Sequence, residues 1–294
     1  MGVLNVTPDS FSDGARYLRA SAAVRHAHEL TRAGADIIDI GGESTRPGAD
    51  PVDPRLETAR ILPVVTAVAA AGITVSVDTM HATTARAALQ AGARIVNDVS
   101  GGLADPDMHA VVAESGAQYV LGHLRGTPRT MNEHAHYDDV TAELAAELSQ
   151  RIRAARAAGI EANRIVVDPG LGFAKAAEHN WTLLRNLTAL TALGHPLMVG
   201  ASRKRFLSSL LPSEASTADR DLPTALLSAL LAERGVNALR VHDVTATRIA
   251  LDMVRFLLPP GGIGLERASS DRVESSHIPD DAHDRRRGEQ RSHR

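Results

Sequence analysis

The sequence contains no cysteine in 294 residues, which excludes a disulfide framework, a thiolate nucleophile and a zinc-thiolate site. It also has no apolar run of the roughly 18 residues that a membrane helix needs, and no signal peptide. The net charge of −3 and the pI near 6.5 provide no basic field for nucleic acid or an acidic membrane. We therefore expect a soluble cytoplasmic protein with neither as a partner.

Lysine is scarce, because only Lys175 and Lys204 occur among the 32 basic residues. This skew is typical of a genome that replaces lysine by arginine wherever only charge matters. On that interpretation the two lysines occupy positions that need a compact ammonium group. Chance is the alternative interpretation.

Short β-branched runs alternate with longer alanine-rich helical stretches along the chain. Eight runs are predicted as strands: residues 2–6, 36–41, 73–78, 94–99, 119–123, 165–168, 197–200 and 239–242. Amphipathic stretches predict helices at 21–33, 55–71, 83–91, 137–158, 179–193, 222–234 and 246–258. Apolar strands that are each followed by a helix indicate a parallel sheet covered by helices.

The number of units decides between the architectures. Eight units favour a single (β/α)8 barrel, which takes about 250 residues, over an open α/β sheet. The first strand is followed by Thr7, Pro8 and Asp9 instead of the G-x-G-x-x-G turn of an open dinucleotide-binding sheet. We expect the barrel to occupy residues 1–258, and the polar segment 259–294 to be a disordered tail.

Polar residues cluster where the predicted strands end, and in this fold the carboxyl ends of the strands carry the active site. They are Asn5, Thr7, Glu43, Ser44, Arg46, Asp78, Asn97, Asp98, His123, Asp168, Ser202, Lys204, Arg240 and His242. Asp78, Asn97 and Asp168 form an acceptor zone that suits a flat heterocycle with several N–H donors. Arg46, Lys204, Arg240 and His242, joined by Asn5, form a cationic zone that suits a phosphorylated substrate.

Seven ordered motifs resemble those of the dihydropteroate synthases, over residues 2–258. They are NVTPDSFSDG at 5–14, GGESTRPG at 41–48, VDT at 77–79, VNDVSG at 96–101, DPGLGFAK at 168–175, GASRKR at 200–205 and RVHDV at 240–244. The resemblance implies that the chain condenses 6-hydroxymethyl-7,8-dihydropterin pyrophosphate with p-aminobenzoate, releasing pyrophosphate, and that it is the target of sulfonamides. One departure is Gly122, where the family usually has methionine, so we expect part of the wall against the pterin to be open.

The resemblance also implies the site residues. The pterin ring contacts Asp78, Asn97, Asp168 and Lys204, with Phe173 and Arg240 lining its pocket. Pyrophosphate and its Mg2+ contact Asn5, Arg46, Arg240 and His242, with Asn5 as the metal ligand. The p-aminobenzoate site is bordered by Thr45, Arg46, Pro47, Ser202 and Lys204. Catalysis is expected from Asp78, Asp168, Lys204, Arg240 and His242, and a homodimer is the expected assembly.

Three alternatives stay open. An aldolase could use Lys204 as a Schiff base, but Asp78, Asn97 and Asp168 would then have no clear role. A non-catalytic pterin-binding paralogue, or the pterin module of a methyltransferase, would have no use for the cationic zone. A metal site at Glu133, His134, His136, Asp138 and Asp139 lacks a recognised ligand spacing.

Overall fold

A computed structural model describes residues 1–7 and 16–257 of the chain. Its eight parallel strands are β1 (Gly2–Asn5), β2 (Ile37–Gly41), β3 (Thr74–Asp78), β4 (Ile95–Asp98), β5 (Gln118–Leu121), β6 (Ile165–Val167), β7 (Met198–Val199) and β8 (Ala238–Leu239). Strands β1 to β6 pair in sequence order, and β7 pairs with β8.

Two single-residue bridges close the barrel. Val167 pairs with Leu197 between β6 and β7, and Gly2 pairs with Val241 between β1 and the end of β8. The Val3 amide donates to the Val241 carbonyl over 2.9 Å at the second junction. The predicted (β/α)8 barrel is confirmed, whereas the predicted tail at 259–294 lies outside the described residues.

Nine α-helices surround the barrel in the described part of the chain: α1 (Arg16–Arg32), α2 (Pro54–Ala70), α3 (Ala82–Gln90), α4 (Met108–Ser115), α5 (Val140–Ala157), α6 (Ala177–Arg185), α7 (Leu187–Thr191), α8 (Asp221–Glu233) and α9 (Val244–Leu257). Helix α2 begins at Pro54 after the Asp53 cap, whose side chain accepts from the Arg55 amide. No described helix is long and apolar enough to cross a membrane.

One helix prediction was wrong, and one helix was missed. The stretch 179–193 is not one helix, because α6 ends at Arg185 before Asn186, whose backbone (φ −107°, ψ 35°) departs from helical geometry, and α7 begins directly after Asn186. Helix α4 was not among the predicted helices. It is only eight residues long, and so short an apolar stretch gives a weak periodic signal.

The barrel interior has an apolar lower half. Ile95, Val120, Val166 and Met198 form one buried cluster with Ile37 and Ala238 packed against it, and all six lie on strands. Ile38 and Ile40 alternate with Ile37 and belong instead to the larger cluster that joins the strands to the helices. The inward positions above the apolar cluster are polar, which places the chemistry of this fold at its upper end.

Candidate active site

Three predicted acceptors lie at the carboxyl ends of their strands. Asp78 ends β3, Asn97 lies in β4 and is the register partner of Asp78, and Asp168 directly follows β6. Asp78 and Asn97 are buried, and Asp168 accepts from the Gly170 amide at Oδ1 over 2.7 Å. Gly41 at the end of β2 lies directly beside Asp78, since a Cβ on this glycine would be in van der Waals contact with the Asp78 Cβ at 3.4 Å. The structure therefore brings the acceptor zone together as predicted.

Sequence reasoning missed one residue of this group, Asp39 in the middle of β2. Its fully buried carboxylate accepts at Oδ2 from Asn97 Nδ2 over 3.0 Å and from Arg240 Nε over 2.6 Å. Its other oxygen has no hydrogen-bond partner within the described part of the chain. The sequence did contain a signal for this residue, because burying an aspartate inside an apolar strand costs free energy unless its charge is paired.

Arg240 joins the two predicted zones. Its Nη2 atom donates to Asp78 Oδ2 over 2.6 Å while Nε contacts Asp39. The division into an acceptor zone and a separate cationic zone is therefore wrong at this residue. Arg240 balances two buried carboxylates, which fixes its planar group in one orientation at the base of the mouth.

Burial shifts the pKa values of the charged groups here. Burial raises the pKa of Asp78 to about 7, although the nearby Arg240 opposes the shift. Burial likewise raises the pKa of Asp168, against the Gly170 amide. Lys204 responds in the opposite sense, because burial and then Arg240 lower its pKa to about 8. Burial therefore disfavours the charged form of each of these groups.

Lys204 and Phe173 form one side of the mouth. The ammonium nitrogen lies 3.8 Å from the centroid of the Phe173 ring, within range of a cation-π contact. Gly172 is required beside it, since its φ is +75° and a Cβ would lie 2.9 Å from Lys204 Cδ. The turn after β6 thus brings backbone, ring and ammonium close together.

Ser202 and His242 are joined by two hydrogen bonds. The serine Oγ accepts from the His242 amide over 3.1 Å and lies 3.0 Å from His242 Nδ1. These two contacts fix the orientation of the His242 ring beside the mouth. Burial, and then Arg240, lower the pKa of His242 to about 3, so the ring is neutral.

The family model described as "Pterin binding enzyme" matches residues 1–242. Dihydropteroate synthase of Mycobacterium leprae is 52% identical over 266 residues, which cover 89% of this chain and 94% of that protein. The chain belongs to the dihydropteroate synthase family of pterin-binding enzymes.

Solved structures of this family share the fold. Xanthomonas albilineans dihydropteroate synthase with 4-aminobenzoic acid is 42% identical, with a TM-score of 0.82 over 88% of this chain and 93% of that one. The Yersinia pestis dihydropteroate synthase in complex with a sulfonamide drug is 38% identical, with a TM-score of 0.81 over 87% and 93%.

The loop that carries the family motif GGESTRPG lies at the surface. Thr45 is partly buried, and Arg46 and Pro47 are exposed, so these side chains stand apart from the buried group at the mouth. The Gly48 amide donates to the Pro128 carbonyl over 3.0 Å and ties the loop to the segment after β5. Asn5 lies at the end of β1, partly exposed, and is the register partner of Gly41.

Three residues of the predicted polar ring do not face the mouth. Asp98 is fully buried and accepts from the Tyr119 hydroxyl and the Ser100 amide. Adjacent strand residues point to opposite faces, so Asn97 and Asp98 could not both point inward. Glu43 contacts His81, and His123 lies between Glu147 and Lys175. These family positions support the loops around the site.

The wall beside Gly122 does not have the opening that the sequence predicted. A Cβ there would lie 2.6 Å from the Val99 Cα, so the backbone leaves no space for a side chain. Val99 and Phe173 instead pack on a small buried cluster of Met80, Leu124, Met131 and Ala174. These side chains provide apolar surface beside the mouth of this family member.

The open alternative of a metal site at residues 133–139 finds no support. Its five members Glu133, His134, His136, Asp138 and Asp139 are exposed. Asp139 caps α5 by accepting from the amides of Thr141 and Ala142. In the described part of the chain the residues grouped closely enough for a metal ion are Glu43, Glu57 and His81.

Proposed function

We propose that this chain is a dihydropteroate synthase, a transferase that condenses 6-hydroxymethyl-7,8-dihydropterin pyrophosphate with p-aminobenzoate to give 7,8-dihydropteroate and pyrophosphate. The observation that carries the proposal is the group of buried Asp78 and Asn97 with half-buried Asp168 and Lys204 at the mouth of a barrel of this family. A cytoplasmic location and the absence of a nucleic-acid partner stay predictions.

The acceptor group suits the pterin. The carboxylates of Asp168 and Asp78 and the Asn97 oxygen accept from ring N–H groups, while the Lys204 ammonium donates to a ring acceptor. Asn97 uses its amino group on Asp39, which leaves the oxygen for the ligand. Phe173 and Val99 supply apolar contact. As the bond to pyrophosphate breaks, Asp78 and Asp168 stabilise the positive charge on the methylene group from nearby.

The leaving pyrophosphate is held by donors. Arg240 supplies fixed positive charge, and the neutral His242 ring, held at Nδ1 by Ser202, presents its Nε2 edge to the anion. Arg46 is exposed on its loop and is available to move toward the anion. The aryl amine of p-aminobenzoate is itself the nucleophile, so no protein nucleophile is needed.

The expected Mg2+ fits the mouth. The Asn5 amide oxygen is a hard donor at the end of β1, and the side chain forms no hydrogen bond with any other described residue. Asn5 would hold the ion beside the pyrophosphate oxygens. When bound, Mg2+ stabilises the charge that develops on the leaving group.

The proposed assembly is a homodimer through α8 and α9. Seven large apolar side chains of these helices are more than half exposed: Leu222, Leu226, Leu230, Ile249, Met253, Phe256 and Leu257. On α8, Leu222, Leu226 and Leu230 recur at helical spacing and form one exposed apolar stripe. An apolar surface of this size is typical of an interface, and a two-fold axis would pair it with itself.

A coupled assay of pyrophosphate release with both substrates tests the proposed reaction. Release that depends on p-aminobenzoate is expected. Pterin binding without release would instead support the non-catalytic paralogue or the methyltransferase module. Borohydride trapping of a carbonyl substrate on Lys204 would support the aldolase.

A sulfonamide titration tests the role of Arg46. Because Arg46 must move toward the anion to complete the p-aminobenzoate site, pyrophosphate with Mg2+ is expected to tighten sulfonamide binding by about 5–150-fold, the usual scale of such coupling. Arg46→Ala is expected to remove most of this effect. Equal affinities with and without the anion would exclude an anion-ordered site.

A further inference from the structure

A second group of ionisable side chains lies outside the mouth. Glu43 follows β2, Glu57 lies in the first turn of α2, and His81 precedes α3. One possible ligand atom from each of the three lies within 4.8 Å of the others. Both carboxylates are buried, whereas 23% of the His81 side chain is exposed and gives an entry route from solvent.

The charge of this group is not balanced within the described part of the chain. His81 Nε2 lies 3.0 Å from Glu43 Oε2, but neither carboxylate forms an ion pair with an arginine or a lysine there. Glu57 is fully buried, and its Oε2 accepts from the Thr79 hydroxyl over 2.9 Å. Its Oε1 has no hydrogen-bond partner among the residues that the structure describes. Two buried carboxylates with one histidine require a bound proton or a cation.

We propose that Glu43, Glu57 and His81 bind a divalent metal ion of the zinc or manganese type, at a site separate from the Mg2+ of the pyrophosphate. One imidazole and two carboxylates are ligands that zinc accepts, with water completing the tetrahedron. Ligand bonds of about 2.0–2.2 Å place neighbouring donor atoms about 3.4 Å apart. The 3.0 Å between His81 and Glu43 already approaches that spacing.

The position of the ion gives it a structural effect. Glu43 Oε1 accepts from the Val52 amide over 3.2 Å, so this side chain spans both ends of the loop that carries Arg46. A metal ion would fasten the loop to α2 through Glu57 and to α3 through His81. This consequence for p-aminobenzoate binding rests on the proposed function, whereas metal binding itself does not.

The experiment uses the full chain, stripped with a chelator and titrated with Zn2+ in a calorimeter without substrates. His81→Ala removes the nitrogen ligand, and Glu57→Gln removes a charge with little change of shape. His26→Ala is the matched control, because the His26 ring also contacts a glutamate, Glu29 at 3.1 Å, but on the exposed surface of α1. X-ray absorption at the zinc edge counts the nitrogen and oxygen ligands.

One equivalent of zinc with one imidazole and carboxylate oxygens is expected, together with a higher Tm. His81→Ala and Glu57→Gln should each weaken binding at least about tenfold, since even residues behind a metal ligand contribute 10–100-fold. His26→Ala should change nothing. No saturable binding, or undiminished binding in either site variant, would overturn the proposal. Pyrophosphate release by stripped protein supplied with Mg2+ tests the synthase separately.

Discussion

The Nε atom of Arg240 donates to Oδ2 of Asp39 over 2.6 Å, which links the end of β8 to the middle of β2 across the intervening β1. This contact holds the guanidinium at the base of the mouth, where its other end reaches Asp78. Asp39 has no room to contact a substrate directly, because Asn97 and Arg240 occupy one of its oxygens and burial is complete.

Asp39→Asn is expected to lower kcat/KM and stability together. The amide removes the charge that balances Arg240, and breaking a buried ion pair costs about 3–5 kcal/mol. Thermal unfolding and steady-state kinetics measure the two effects. Asp36→Asn is the matched control, since Asp36 pairs with Arg248 at 3.1 Å on an exposed edge and should contribute only about 0–1 kcal/mol. Equal small losses in both variants would exclude Asp39 as a positioning residue.

Asp168→Asn is expected to abolish useful pterin binding while the fold stays intact. The new amide hydrogens face the donors of the ligand, and each unpaired donor costs about 1–3 kcal/mol. Stability should not fall, because burial already disfavours the ionised Asp168. Near-normal pterin affinity by calorimetry would remove Asp168 from the site.

The two lysines are expected to respond differently to arginine. In Lys204→Arg the broader group cannot fit between Phe173 and Gly172, so pterin affinity should fall while the Tm holds. In Lys175→Arg the Tm should fall, because the buried ammonium lies 3.0 Å from both His123 Nδ1 and the Phe173 carbonyl. Full turnover in both variants would refute the argument from lysine scarcity.

Binding of a pterin-pocket ligand is expected to be tightest between about pH 7 and pH 8. Below this window Asp78, whose pKa is raised to about 7, gains a proton and stops accepting. Above it Lys204, whose pKa is lowered to about 8, loses its charge. Calorimetry from pH 5.5 to pH 9.5, in steps of ~0.5 unit, measures the affinity on both sides of this window. A flat profile would contradict both assignments.

The same shifts fix the sign of two contributions to stability. Asp78 holds more protons folded than unfolded, so its contribution is present at low pH and is lost as pH rises through about 7. Lys204 holds fewer protons folded, so its contribution grows as pH rises above about 8.

Leu226→Asp is expected to shift the protein from dimer to monomer, since it places a charge in an apolar interface on α8. Sedimentation velocity measures the change. Leu103→Asp is the control, because Leu103 is 68% exposed and Leu226 58%, but Leu103 lies outside α8 and α9. A monomer before any substitution, or a dimer that survives Leu226→Asp, would contradict the proposed interface.

The sequence predicted the barrel because each strand is bounded by recognisable signals. Seven glycines that follow helices, Gly34, Gly72, Gly92, Gly116, Gly159, Gly194 and Gly235, all have positive φ, and such glycines are recognisable helix-ending signals. It did not predict Asp39, because the partner that makes its burial tolerable is Arg240, two hundred residues away in the chain. Asp98 was misplaced because a residue at a strand end was assumed to face the mouth, whereas alternation directs it toward Tyr119.

The scarcity of lysine leaves the protein almost without side-chain amines on its surface. Lys175 is buried, whereas Lys204 is partly exposed beside the mouth, where its pKa, lowered to about 8, leaves a reactive neutral fraction near pH 8. A mild acylating reagent would therefore report on one position. The extent of labelling at Lys204 then measures the fraction of protein molecules whose pterin pocket is empty, because a bound pterin would shield the amine.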